Sequence, residues 1–193
     1  MSPQARLREE MGDLAGAHLA SPTDGPPAPL GPRLQRLEHG FTEAFRRLSG
    51  RRFAPGELPL AVEWLRDNDY IDAALVSGVE DDDAWKAKPA VVSTKDEILA
   101  TAGSRYTYCA NPLALPEAKE KGYERLALVG MGCQTSSPPT MWDRKAGKVS
   151  KPFLFNIGLL CSKTFDDAIF TELFEAKYGL KKQDMAKMNI KGV

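Results

Sequence analysis

A first apolar stripe at helical spacing lies between residues 33 and 53. Its members are Leu34, Leu37, Phe41, Phe45 and Leu48, and Ser49 and Gly50 follow them. Intervals of three and four residues place such side chains on one face of a helix. The pattern therefore predicts an amphipathic helix and a linker over residues 33–53. Packing on a core, or a place in an irregular extension, explains this helix better than a membrane-binding or calmodulin-like role.

The segment before this stripe is rich in residues that oppose regular structure. Residues 21–32 contain five prolines and two glycines, and proline supplies no N–H group to a helix or a sheet. We predict that residues 1–32 form a disordered, proline-rich extension.

Helical and strand-like patterns alternate from residue 57 onward. Strands are predicted at residues 70–79, 88–94, 124–130 and 153–161, where apolar runs are bounded by turn residues. Helices are predicted at residues 57–67, 95–102 and 165–179. The order of these elements predicts an α/β fold, in which flanking helices cover a mixed or mostly parallel sheet.

Local signals set the expected ends of the helices. Pro59 is expected to break the first helix early. Thr94 and Glu97 form a capping box that begins the second helix. Thr164 is expected to cap the third helix and Gly179 to end it. Its core-facing residues are predicted to be Phe165, Ile169, Leu173 and Phe174.

Charge and apolar content exclude several classes of function. The 193 residues include 26 Lys and Arg and 26 Asp and Glu, so no net charge attracts nucleic acid or an anionic membrane. No apolar run approaches the roughly 20 residues of a membrane span, and the N-terminus lacks the apolar core of a secretory signal. We therefore expect no nucleic-acid partner, no membrane span and a cytoplasmic location.

The residues of the common hydrolases are missing. The histidines, His18 and His39, both precede the predicted fold, and no Walker loop is present. The sequence therefore predicts no Ser-His-Asp triad and no nucleotide hydrolase, and the catalytic residues are unknown. Asp81, Asp82 and Asp83 are adjacent, which favours a solvated loop over a metal site, because hard cations need ligands spaced around a turn.

Residues 101–108, "TAGSRYTY", form a first candidate site. They follow a predicted strand and helix, and ligands of α/β sheets bind beyond the carboxyl ends of the strands. Gly103 permits close approach of the backbone to a ligand, and Ser104 and Arg105 are candidate phosphate donors. Tyr106 and Tyr108 offer faces for stacking on a ring. A capped helix followed by a strand explains the same residues equally well.

Two further candidate sites lie at predicted strand ends. Gly130 and Gly132 free main-chain N–H groups for an anion or a flavin edge, beside Cys133 and Gln134. This Gly-x-Gly lacks the third glycine and the following helix of the dinucleotide fingerprint. Cys161 ends a predicted strand before a helix N-terminus, a position that lowers the pKa of a thiol and favours anions.

The cysteines are odd in number and widely spaced. They are Cys109, Cys133 and Cys161. This pattern favours thiols, metal ligands or cluster ligands over a secreted disulfide framework. Each cysteine taken alone is more often a small core residue.

Six stretches together resemble one protein family. They are "DNDYIDAALVSGVE", "KPAVV", "TKDEILATAGSRYTYCANPLAL", "LALVGMGCQ", "IGLLCSKTF" and "MNIKGV". In this order and spacing they resemble the coenzyme F420 hydrogenase/dehydrogenase beta-subunit family, whose relatives include reductases of chlorophyll precursors. The resemblance starts near residue 54. It divides the chain into an N-terminal-like region at residues 54–122 and the start of a C-terminal-like region at residues 123–193.

The resemblance implies a redox protein. Family members are flavoproteins, usually with FAD, that carry iron-sulfur clusters and pass electrons between coenzyme F420, or a similar carrier, and a partner subunit or substrate. Hydride transfer at flavin N5 would be their chemistry. The cofactor-binding residues so implied are Gly56, Gly103, Ser104, Arg105, Tyr106, Tyr108, Gly130, Gly132 and Gln134. The candidate ligands of a 4Fe-4S cluster are Cys133 and Cys161.

The sequence departs from the family pattern at two points, and both bear on whether the cofactors bind. Pro55 stands where the family has a glycine in a Ser-Gly-Gly stretch, and only Gly56 remains. Family members also continue past "IKG" into a cysteine-rich segment, and three cysteines are fewer than the four ligands of a 4Fe-4S cluster. We therefore expect a truncated or divergent flavin- and F420-linked oxidoreductase subunit, in which Ser104, Cys133 and Cys161 converge on one flavin. The alternative is a non-catalytic remnant or interaction module of the same fold.

Overall fold

A computed structural model of the chain describes residues 45–53, 57–80, 83, 85–159 and 164–185. The chain forms two compact units, Met1–Tyr70 and Ile71–Val193. The extension predicted at residues 1–32 and most of the first amphipathic stripe lie outside the described residues. Gly56 and Cys161 also lie outside them.

The described part of the first unit is helical. Residues 45–49 form a helical turn, and α1 spans Leu58–Asp67. Ala61, Val62 and Leu65 of α1 are buried, as amphipathic spacing requires. The prediction that Pro59 breaks this helix is wrong. Pro59 lies in the first turn, where backbone N–H groups have no intrahelical acceptor to lose.

The second unit is built on a four-stranded sheet with the order β2-β1-β3-β4. Its strands are β1 (Ala73–Val79), β2 (Ala87–Val92), β3 (Leu126–Met131) and β4 (Phe153–Leu159). β3 pairs in parallel with both β1 and β4, whereas β2 pairs antiparallel with β1. β2 runs the opposite way because the connection from β1 is far shorter than a parallel crossover requires. The predicted α/β fold with a mixed, mostly parallel sheet is confirmed.

Short helices connect these strands. They are α2 (Lys95–Ala100), a 3-10 turn (Asn111–Ala114), α3 (Leu115–Glu120), α4 (Gly132–Thr135), α5 (Ser137–Asp143) and α6 (Gly147–Ser150). The capping box predicted for α2 is confirmed. The Glu97 N–H donates to Thr94 Oγ1 at 3.3 Å, and the Glu97 carboxylate accepts the Thr94 N–H at 3.0 Å.

The core of the second unit includes a cluster that joins the sheet to α3. Leu75, Leu126 and Leu128 are fully buried and cluster with Leu115 and Ala118. Removing a leucine side chain from water contributes roughly 1.5–3 kcal/mol of stability. β1 and β3 are buried along almost their whole length, as in a parallel pair covered on both faces. The core therefore fixes where the carboxyl ends of β1 and β3 lie.

The C-terminal segment departs from the prediction at its start. Thr164 is not the N-cap of the helix that follows, and its hydroxyl donates to the sulfur of Met131 at 3.3 Å. Phe165 instead forms a parallel bridge with Thr107. Helical structure begins near Ala168, whose N–H donates to the Asp166 carboxylate at 3.0 Å.

The helix that follows is largely a π-helix. It spans Ile169–Glu175 and continues as α7 (Ala176–Tyr178). Gly179 ends it with φ 64°, as predicted. Phe170 is buried, whereas Leu173, predicted to face the core, is exposed. The wider turn of a π-helix displaces side chains from α-helical spacing. Among the described residues, none of the helices combines the length and apolar composition of a membrane span.

Candidate functional site

Asn111 connects the carboxyl ends of β1 and β3. It is 2% exposed. Its Nδ2 donates to the carbonyl oxygen of Val129 in β3 at 2.7 Å. Its Oδ1 accepts the Ser77 hydroxyl of β1 and the Cys109 thiol, each at 2.9 Å. Because the polar atoms of a buried amide need partners, these bonds fix both strands to the loop that precedes the 3-10 turn.

Gly130 and Gln134 adjoin this network. The Nε2 of Gln134 donates to the backbone carbonyl of Cys109. A Cβ at Gly130 would collide with Gln134 Oε1 and would lie 3.4 Å from Asn111 Nδ2. Only glycine at this position lets both side-chain amides approach β3 so closely.

The loop between α2 and Asn111 is held by Thr107. This side chain is buried. Its hydroxyl donates to the Trp85 carbonyl at 3.2 Å and accepts the Ala87 N–H at 3.4 Å. On the other side, the N–H of Phe165 donates to the Tyr106 carbonyl at 2.8 Å. The loop is therefore fixed between the start of β2 and the C-terminal segment.

Cys109 and Arg105 define the electrostatics of the site. Burial raises the pKa of the Cys109 thiol, and the Ser77 hydroxyl and the positive charge of Arg105 oppose part of this rise. The thiol is therefore neutral at physiological pH and serves as a hydrogen-bond donor.

Two polar atoms at the site are buried and have no hydrogen-bond partner in the described structure. They are Arg105 Nε and Gln134 Oε1. Leaving such an atom unpaired costs about 1–3 kcal/mol. Buried polar groups of native proteins are normally satisfied by protein, water or a ligand. Both atoms thus indicate where a ligand would be bound.

The structure brings part of the predicted site together. Gln134 bonds to Cys109, Gly130 adjoins Gln134, and Arg105 interacts electrostatically with Cys109. Tyr106 is half-buried and contributes its carbonyl to the bridge with Phe165. The predicted residues that lie exposed are Gly103, Ser104, Tyr108, Gly132 and Cys133.

The convergence of Ser104, Cys133 and Cys161 on one ligand stays a prediction. Ser104 and Cys133 are exposed, and Cys161 lies outside the described residues. One expectation about this region is wrong. The Gly-x-Gly stretch does run into a helix, because α4 begins at Gly132.

Sequence reasoning missed Asn111 and Ser77. Asn111 begins an Asn-Pro pair that starts the 3-10 turn, and such a pair is a recognised turn signal. Ser77 lies inside an apolar strand, and an isolated hydroxyl there marks a position that needs a buried partner.

The described residues do not form a metal centre. Within them, no group of three or more His, Cys, Asp and Glu side chains is placed to hold a metal ion. Asp83 is partly exposed and bonds to Lys182, whereas Asp81 and Asp82 lie outside the described part, so the solvated loop predicted for the three aspartates stays a prediction. The hydrogen bond from Lys182 holds the pKa of Asp83 below its ordinary value.

These site residues lie in segments that match one protein family. Residues 60–116 match the family model for the coenzyme F420 hydrogenase/dehydrogenase beta subunit, N-terminal part. Residues 123–193 match the model for the C-terminal part of the same subunit. The chain belongs to the coenzyme F420 hydrogenase/dehydrogenase beta-subunit family. The resemblance seen in six sequence stretches is thereby confirmed.

Curated relatives support this membership in the F420 beta-subunit family. The chain is 32% identical over 132 residues to the coenzyme F420 hydrogenase subunit beta of Methanothermobacter thermautotrophicus, covering 64% of this chain and 45% of that protein. It is 30% identical over 149 residues to the coenzyme F420-dependent sulfite reductase of Methanocaldococcus jannaschii, covering 70% of this chain and 23% of that protein.

A solved structure shares the fold. One chain of the F420-reducing NiFe hydrogenase complex from Methanosarcina barkeri superposes with a TM-score of 0.60 at 26% identity. The match covers 69% of this chain and 46% of that chain. The F420 beta-subunit homologue described here thus spans less than half the length of each of these three relatives.

Proposed function

We propose that this family member binds FAD at the carboxyl ends of β1 and β3. We further propose that it moves electrons between coenzyme F420, or a similar carrier, and a partner subunit or substrate. The observation that carries the proposal is the arrangement of Arg105 and Gln134 around Cys109, with one unsatisfied polar atom on each. The relatives whose names include coenzyme F420 support the choice of carrier.

The unsatisfied atoms suit the polar edge of a flavin. That edge carries an N–H group between two carbonyl oxygens. Within the described residues, Arg105 Nε is a donor without an acceptor, and Gln134 Oε1 is an acceptor without a donor. A flavin edge supplies both missing partners, whereas a simple anion supplies only acceptors.

The exposed part of the loop suits the rest of the cofactor. Tyr108 is 65% exposed, so its ring is accessible for stacking. Ser104 is exposed beside Gly103, whose φ of 121° is a conformation that glycine adopts without strain. Because Arg105 Nε is covered, we expect this loop to rearrange at Gly103 when FAD binds.

The protein side of the chemistry is binding and orientation. The flavin, when bound, supplies hydride transfer at N5. Asn111 fixes the loop and both strands, and the neutral Cys109 thiol adds no negative charge beside the ring. The part of the wall formed by Asn111 and Cys109 is fixed and uncharged, and such a surface orients a redox group and sets the polarity around it.

An iron-sulfur cluster fits this chain less well than a flavin does. The sequence contains three cysteines, and a 4Fe-4S cluster normally takes four cysteine ligands. Cys109 donates its thiol proton to Asn111, and Cys133 is exposed. We therefore propose that at least one ligand of any 4Fe-4S cluster in the electron path comes from outside these 193 residues.

The test is uptake of FAD by the purified chain. We expect FAD fluorescence to be quenched on titration, with visible absorption bands that stay with the protein through gel filtration. Arg105→Gln is expected to weaken binding about tenfold or more, because one charged hydrogen bond is worth about 1.5–3 kcal/mol. Arg144→Gln, a matched change at the exposed residue that follows α5, is the control. No uptake by the wild-type chain would refute the proposal.

One observation favours a second function. Both unsatisfied atoms are covered in the structure, as they would be in a non-catalytic interaction module whose cofactor site has closed. If the wild-type chain takes up no FAD while its fold is intact by circular dichroism, this second function is supported. Reduction of bound FAD by the reduced F420 coenzyme would support the first.

A further inference from the structure

A basic and apolar surface covers α5 and α6. Met141, Trp142 and Val149 are large apolar residues of these helices that lie exposed, and Trp142 is 60% exposed. The residues that follow Asp143 carry four exposed cations and no acid up to residue 151. These cations are Arg144, Lys145, Lys148 and Lys151. None of them forms an ion pair within the described part of the chain.

An acidic and apolar surface covers the π-helical segment. Between residues 166 and 175 the chain carries four exposed acids and no base. These acids are Asp166, Asp167, Glu172 and Glu175. None is ion-paired within the residues that the structure describes. Leu173 and Tyr178 are exposed on the same segment, and Lys177, which follows the acids, lies 5.6 Å from the Tyr178 ring.

The two surfaces lie near opposite edges of the sheet. The basic surface ends at α6, which leads directly into the edge strand β4. The acidic surface lies beside the other edge strand, β2, because the ring of Phe170 lies 5.8 Å from that of Trp85, just before β2. Within the described residues, the two surfaces therefore do not pair with each other.

We propose that the basic surface of one copy of this chain binds the acidic surface of a second copy. The charges are complementary and equal in number, and each surface has exposed apolar side chains among them, which is the usual pattern of an apolar interface core with a polar rim. Trp, Met and Arg are enriched in such interfaces. The chain has no net charge, so general repulsion does not oppose association.

A two-fold dimer satisfies both surfaces at once. In such a dimer, the two surfaces of each copy lie at opposite ends of a single interface, and the basic surface of each copy contacts the acidic surface of the other, which gives two identical contacts and a closed assembly. The contacts use neither the loop at residues 101–110 nor Asn111. The proposal is therefore independent of FAD binding.

The test is sedimentation velocity on the full chain over a range of protein concentrations. The wild-type chain is expected to dimerise, and its dissociation constant to rise about tenfold or more between about 50 mM and about 500 mM NaCl, because salt screens exposed charges. Lys145→Glu with Lys148→Glu is expected to weaken the dimer about tenfold or more, and so is Glu172→Lys with Glu175→Lys.

The decisive variant combines all four changes in one chain, since complementary reversal restores attraction. We expect its dissociation constant to return to within about threefold of the wild-type value. Arg52→Glu with Lys119→Glu changes two exposed cations elsewhere that form no ion pair with other described residues, and it is expected to leave dimerisation unchanged.

Several outcomes would overturn the proposal. One is a wild-type chain that is monomeric at low salt. Another is a dimer whose dissociation constant does not change in either charge-reversal variant, and a third is a combined variant that stays dissociated. Cosedimentation of a monomeric wild-type chain with vesicles of anionic phospholipid would assign the basic surface to a membrane instead. Circular dichroism of each variant confirms that the fold is retained, since every changed residue is exposed.

Discussion

Asp72 and Arg125 join the amino ends of β1 and β3. The N–H of Asp72 donates to the Arg125 carbonyl at 2.7 Å, and the Asp72 carboxylate accepts Arg125 Nε at 2.9 Å and the Arg125 backbone N–H at 2.8 Å. Burial alone would raise the pKa of Asp72, but the hydrogen bonds and the charge of Arg125 hold it below its ordinary value. This pair fixes the register of the two strands whose other ends carry the candidate site.

Replacing Asp72 is expected to destabilise the protein in a pH-dependent way. Asp72→Asn should lower the free energy of unfolding by about 1–2 kcal/mol at neutral pH. The pKa of Asp72 in the folded state lies below the unfolded value of about 3.9. The stability that the Asp72 carboxylate contributes is therefore complete above the unfolded pKa and is lost as the pH falls through the folded pKa. Urea unfolding of both proteins between neutral pH and about pH 3 measures the difference. A constant difference at all pH values would contradict the assignment; Asp143→Asn, at an exposed site, is the control.

Asn111 is expected to be among the most sensitive polar positions of the second unit. Asn111→Ala would leave the Val129 carbonyl, the Ser77 hydroxyl and the Cys109 thiol without their partner. We expect a loss of about 2–4 kcal/mol in the free energy of unfolding. Asn156→Ala, at an exposed position of β4, should change stability by less than about 0.5 kcal/mol. Equal effects at both positions would show that the network does not stabilise the fold.

Two neighbouring glycines are expected to respond differently to the same change. Gly130→Ala displaces the amide at the end of the Gln134 side chain and breaks its hydrogen bond to Cys109, with a cost of about 0.5–1.5 kcal/mol. Gly132→Ala adds a methyl group where no atom lies within 4 Å, so little change is expected. Thermal unfolding and FAD titration of both variants check this contrast. If both variants unfold and bind alike, the close approach at Gly130 has no consequence.

The thiols of Cys109 and Cys133 are expected to differ in reactivity. Burial raises the pKa of the Cys109 thiol, whereas Cys133 is exposed. At pH 8, iodoacetamide should therefore label Cys109 about tenfold or more slowly than Cys133, because the thiolate is the reactive species. Peptide mapping by mass spectrometry follows each site. In denaturant the two rates should become similar, and a persistent difference there would indicate a cause other than the fold.

Local parts of the fold were predictable from the sequence. The capping box at Thr94 and Glu97 and the helix end at Gly179 depend on neighbouring residues, and both are present. The buried runs of β1 and β3 were also predictable, because β-branched and aliphatic residues follow one another there. The antiparallel direction of β2 could have been inferred from the short connection that precedes it.

The site depends on contacts that no local pattern contains. Ser77, Asn111 and Val129 belong to different segments and meet only when β1 and β3 pair. The sequence indicated Arg105 and Gln134 as polar residues near strand ends, but it could not show which of their atoms lose their partners on burial. The displacement of Thr164 from its expected cap likewise follows from pairing with distant residues.

The bridge between Thr107 and Phe165 has a consequence for the order of assembly during synthesis. All four strands have been translated by Leu159, so a nascent chain can form its sheet before Phe165 leaves the ribosome. The loop with Arg105 and Cys109 then lacks one of its two anchors until the C-terminal segment emerges. The candidate site therefore matures only after the sheet, and a chain whose synthesis ends shortly after β4 would have a sheet but an unfinished loop at residues 105–109.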